Sequence, residues 1–304
     1  MLPPESPRPS HDHKWGMRYY CVSGGGERRL IARDGDEAYD LTATRGSVTS
    51  FDDLAHVADV ATETVDEVAA RLVDEAEPVD LPDETTAAVP VAVDEVWAAG
   101  VTYEISEQAR EAESGMPEMY IDVYDADRPE VFFKATRDRV VGPGEAVGVR
   151  GDSEWNVPEP ELGVVLHHGD VVGYTIGNDM SSRSIEGENP LYLPQAKVYD
   201  RSCSLGPCVV SADSVEDPHD LTMRMTIERD GERRYEGETA TSEMVRTCEE
   251  LVSFLARHNT VPETAVLLTG TSLVPEEEFT LQPGDRVDID IEGIGRLSNT
   301  VTVV

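Results

Sequence analysis

Apolar and polar positions alternate in short runs over most of the chain, the period-2 pattern of strands that turn one face to a core. Arg18-Tyr19-Tyr20-Cys21-Val22, a turn at Gly24-Gly25-Gly26, and Arg29-Leu30-Ile31-Ala32 before Asp34-Gly35 predict a small β meander over residues 17–45. The run from Leu162 to Leu166, the turn His168-Gly169-Asp170 and the run from Val171 to Ile176 predict a hairpin. Asp230-Gly231 marks another, and Val287 to Ile291 alternates as a further strand. The spacing changes to a helical one over residues 50–77. It does so most clearly in Ser242–His258, where Met244, Cys248, Leu251 and Leu255 share one side as a packing stripe.

Residues 1 to about 15 carry Pro3, Pro4, Pro7 and Pro9 and read as a disordered start. The stretch from Val79 to Glu84 reads as a linker. These breaks divide the chain into a small N-terminal α+β domain, residues 1–88, and a β-rich domain, residues 89–304. Each has room for a core. The sequence contains no repeat, phosphate loop or dinucleotide fingerprint.

Composition changes the picture in one respect. Asp and Glu number 61 against 25 Lys and Arg, a net charge of −36, which opposes binding to nucleic acid or anionic lipid. Molar salt shortens the Debye length to about 3 Å and screens that self-repulsion. Only three of the basic residues are lysine, and acidity with scarce lysine is the composition of a halophilic cytoplasmic protein. Cys21, Cys203, Cys208 and Cys248 show no zinc-type spacing and read as reduced cytosolic thiols. No apolar run is long enough for a transmembrane span.

The candidate chemistry is a carboxylate set. Glu159 and Glu161 are two apart in an extended segment, so they share a face, while Leu162, Val164 and Leu166 face the core. The predicted hairpin returns the chain to them just before Asp179. Three carboxylates with open positions suit Mg²⁺ or Mn²⁺. Such an ion chelates a small-molecule 2-keto acid and stabilises the enolate formed when a proton leaves the next carbon, which points to an enzyme. Where lysine is scarce, Lys134 and Lys197 stand out, since both share this region. A lysine near a metal serves as a general base once burial and the cation lower its pKa; the bland reading of each is a salt bridge.

Five blocks in order carry a resemblance: Glu159-x-Glu161, the run Gly177 to Arg183, Lys197-Val198-Tyr199-Asp200, Leu205-Gly206-Pro207 and Leu268-Thr269-Gly270-Thr271. Over residues 92 to 304 the chain resembles the fumarylacetoacetate hydrolase superfamily. The resemblance implies a mixed β-roll catalytic domain, a smaller N-terminal domain and a homodimer or higher homo-oligomer. It also implies Mg²⁺ on Glu159, Glu161 and Asp179, with Lys197 facing the substrate and Lys134, Arg183 and Thr271 binding it.

One departure narrows the activity. Hydrolases and decarboxylases of the superfamily carry a His-x-x-Glu dyad on a lid, and here Ser106 and Ala109 stand at those positions. The opening Val101-Thr102-Tyr103-Glu104 and the run Pro129 to Lys134 resemble the sugar-acid branch instead. That branch dehydrates 2-keto-3-deoxypentonates to 2-oxoglutarate semialdehyde in pentose degradation. Lys197 would then take a C3 proton, and the lid acids Glu107 and Glu104 are candidates for the acid that assists loss of the C4 hydroxyl. The alternatives are an acylpyruvate-type C–C hydrolase, an oxaloacetate decarboxylase, and a salt-adapted binding protein that kept the metal site without turnover.

Overall fold

A computed structural model describes residues 16–24, 27–80, 84, 87–103, 123, 126–276 and 278–304. Its frame is an 11-stranded mixed sheet. In spatial order the strands are Pro78–Val79, Glu37–Asp40, Glu27–Asp34, Arg18–Gly24, Cys203–Ser211, Asp170–Asp179, Pro160–His167, Thr264–Leu268, Glu95–Gly100 and Glu130–Thr136, with Val140–Val141 beside Cys203–Ser211. A second, five-stranded sheet runs Glu232–Ala240, Thr222–Arg229, Arg286–Ile291, Gly295–Val303 and Ala146–Val149.

The central strand Pro160–His167 is buried at all eight positions because both its faces are covered. Leu162, Val164 and Leu166 pack in one core with Met223, Met225, Ile289 and Leu297 of the second sheet. Val165 belongs to the opposite core, with Phe51, Leu54, Val65 and Val68 of two N-terminal helices. This β-rich layering matches the mixed fold expected from the sequence.

The meander Arg18–Gly24, Glu27–Asp34 and Glu37–Asp40 is present, and it joins the large sheet directly: Arg18 pairs with Val210 and Tyr19 with Val209. The helical segment is two helices, Phe51–Ala61 and Val65–Val73. The break comes at Thr62, whose φ of 57° ends the first helix, and Thr64 restarts the second through a capping box with Glu67.

The later helix begins six residues after the predicted start, at Cys248–Ala256, capped by Thr247. Cys248, Leu251 and Leu255 form its buried stripe, but Met244 lies outside it. The preceding backbone is used elsewhere: Val245 N–H donates to Thr102 O at 2.8 Å, and Met244 bridges Tyr103. Those long-range pairings outcompete the local helical pattern.

Candidate metal centre and its cavity

The hairpin predicted at residues 162–176 spans Pro160–His167 and Asp170–Asp179, and its register assembles the site. Glu161 pairs with Gly177, and Pro160 with Asn178. Asp179 N–H donates to Glu159 O at 2.9 Å, and Asn178 Oδ1 accepts from Glu159 N–H at 3.1 Å. Glu159, Glu161 and Asp179 are thereby brought together, one ligand atom from each lying within 4.8 Å of the others, all buried.

Three buried carboxylates require compensation. Lys197 Nζ, at the end of the short helix Leu193–Lys197, lies 2.5 Å from Glu159 Oε2 and 3.2 Å from Asp179 Oδ2. Lys134 Nζ lies 2.5 Å from Asp179 Oδ1, and Arg183 Nη2 lies 3.1 Å from Glu159 Oε1. Among the described residues Glu161 receives only a backbone donor, Gly270 N–H at 2.6 Å.

The acidities follow this asymmetry. Burial pushes Glu159 up, but Lys197 and Arg183 outweigh it and hold the carboxyl below its usual range. Burial, then the charges of Asp179 and Glu159, drive Glu161 well above it. The set is all oxygen, concentrated and short of positive charge at Glu161, so it fits a hard divalent cation.

A cavity of about 80 Å³ opens on this cluster and is bordered by Gly100, Tyr103, Glu130, Phe132, Arg183, Lys197 and Thr271. Arg183, Lys197 and Thr271 therefore stand together at one site with the carboxylates. Lys134 does not border the cavity: it is completely buried and donates to Met180 O at 2.9 Å and Lys197 O at 2.5 Å. Its place is that of a charge partner for Asp179. Glu104, Ser106, Glu107 and Ala109 lie outside the described residues.

With no cation on the carboxylates, the pKa of Lys197 follows the same balance. Burial lowers it, but Asp179 and Glu159 raise it more, and the net position is well above an ordinary lysine. Without a cation the carboxylates hold its proton.

Glu130, which sequence reasoning passed over, also borders the cavity. Burial first, then the charge of Glu186, push its carboxyl up to about 7. Its side chain lies over Gly100, its strand partner, where a Cβ would come within 2.0 Å of Glu130 Oε2. The available signal is the alternation of Glu130 and Phe132, which turns an acid and an aromatic ring to the same side of the strand, both on the cavity.

The sequence profile of the fumarylacetoacetate (FAA) hydrolase C-terminal family matches residues 95–302. The chain is 66% identical over 289 residues, 95% of its length and 100% of the relative's, to a probable 2-keto-3-deoxyxylonate dehydratase of Haloferax volcanii. It is 44% identical over 218 residues, 70% of its length and 73% of the relative's, to the 2-dehydro-3-deoxy-D-arabinonate dehydratase of Saccharolobus solfataricus. Among solved structures it resembles a 2-keto-3-deoxy-D-arabinonate dehydratase complexed with magnesium and 2,5-dioxopentanoate, with a TM-score of 0.80 and 34% identity, covering 94% of this chain and 99% of that one.

Proposed function

The chain belongs to the fumarylacetoacetate hydrolase family, and from that membership we propose that it dehydrates a 2-keto-3-deoxypentonate to 2,5-dioxopentanoate, with Mg²⁺ held by Glu159, Glu161 and Asp179. The observation that carries the reading is the meeting, in one cavity, of three buried carboxylates, Lys197 and the Glu130 carboxyl.

Glu159, Glu161 and Asp179 would hold the divalent cation, which would supply polarisation of the 2-keto group, a more acidic C3 and an offset to the charge that otherwise keeps Lys197 protonated. Lys197 Nζ takes a C3 proton. Glu130, still protonated near neutrality, gives its proton to the departing C4 hydroxyl, which leaves as water. The hydroxy-enone tautomerises to the 5-aldehyde, so the substrate loses one water and nothing is oxidised overall. Arg183 and Thr271 border the space in which the substrate carboxylate and hydroxyls sit. The net charge of −36 supports a molar-salt setting, and the same reading makes the protein a cytoplasmic homo-oligomer of pentose degradation.

The test is incubation of the purified chain in molar KCl with Mg²⁺ and the 2-keto-3-deoxy acids derived from xylonate and arabinonate. The expected product is 2,5-dioxopentanoate. Release of pyruvate or CO₂ from a panel of acylpyruvates and oxaloacetate, with no semialdehyde from either sugar acid, overturns it.

A further inference from the structure

Tyr103 follows strand Glu95–Gly100 and is firmly mounted. Its neighbour Thr102 donates through Oγ1 to Thr269 O at 2.6 Å and accepts at its carbonyl from Val245 N–H at 2.8 Å, while Tyr103 itself bridges Met244. The side chain is 1% exposed, borders the cavity and is close enough to Glu161 to be affected by its charge. Its hydroxyl is shielded from solvent and has no hydrogen-bond partner among the described residues.

A buried hydroxyl left unpaired is unfavourable, and where packing alone matters phenylalanine serves as well or better. Tyr199 also buries an unpaired hydroxyl, but it does not border the cavity. Position on the cavity wall separates the two.

We propose that the Tyr103 hydroxyl is held in reserve for the substrate and donates a hydrogen bond to an oxygen of the bound 2-keto acid. This rests on the 2-keto acid reading above. The rigid mounting fixes the donor before binding, so little ordering is needed when the ligand arrives.

The test pairs the stability of Tyr103→Phe with its affinity for pyruvate, the smallest 2-keto acid, measured by calorimetry with Mg²⁺ in molar KCl. The ligand-free variant is expected to keep its Tm or gain about 2 °C. Its pyruvate affinity is expected to fall about tenfold, the order of one lost hydrogen bond. A lower Tm, whichever way affinity moves, means that the hydroxyl has a partner in the free protein and overturns the proposal. An unchanged affinity overturns it too, provided the wild type binds pyruvate. If the wild type binds none, the 2-keto acid reading falls and takes this inference with it.

Discussion

Lys134 Nζ lies 2.5 Å from Asp179 Oδ1, with both side chains withdrawn from solvent. The same ammonium donates to Met180 O and Lys197 O, so one cation neutralises a candidate ligand and anchors the segment that carries the candidate base. Lys134→Met is expected to cost about 3–5 kcal/mol, because it leaves Asp179 buried without that cation and two carbonyls without a donor. Denaturant unfolding in molar KCl measures this. Wild-type stability with only a raised KM would make Lys134 a substrate contact instead.

Glu161→Gln separates stability from metal binding. Glu161 is crowded by Asp179 and Glu159, so in the absence of a cation the amide should leave Tm unchanged or higher. The rise in Tm that Mg²⁺ gives the wild type should disappear. If the variant keeps the full Mg²⁺-induced rise, Glu161 is not a ligand.

Lys197→Ala should lower kcat about 10²-fold or more, the ordinary contribution of a positioned general base. It should also abolish exchange of the substrate's C3 protons with deuterated solvent, a step that precedes loss of water. Proton NMR reads this directly. Exchange at the wild-type rate would assign the proton to another residue.

The Glu130 carboxyl, raised to about 7, acts as an acid only while protonated. This group therefore gives the profile an alkaline limb, along which activity falls as pH rises above about 7, by about tenfold per unit. Glu130→Gln should remove that alkaline limb and lower kcat throughout. A profile for the variant that still falls with the same midpoint would place the titration elsewhere.

Stability should climb steeply between dilute buffer and molar KCl, since 61 acidic residues against 25 basic ones repel most when unscreened. Melting curves across a KCl series test it. A flat series would show that local ion pairs, not screening, balance the charge.

The sequence was most legible where local pattern and long-range pairing agree. The turn at His168-Gly169 and the alternation on either side placed Glu159, Glu161 and Asp179 together, and the register of Glu161 with Gly177 does the rest. Legibility failed where the two compete. Met244 falls on the helical stripe, but its backbone pairs with Tyr103, more than a hundred residues away. Lys134 and Lys197 look alike in sequence, and only the packing of Lys134 beneath the Lys197 and Met180 carbonyls tells the buried partner from the cavity-facing one. Glu130 was hidden for a similar reason: its acidity depends on burial and on Glu186, more than fifty residues away.

Gly100 gives the cavity a vulnerable point that carries no functional group of its own. An alanine there would place its Cβ 2.0 Å from Glu130 Oε2, and the flexible end of the glutamate would be the part to give way. The displacement would cost the fold little, since only a side-chain tip moves. A Gly100→Ala protein would therefore pass a folding screen while its acid swung out of line, so loss of activity in a natural variant at position 100 need leave no trace in abundance or solubility.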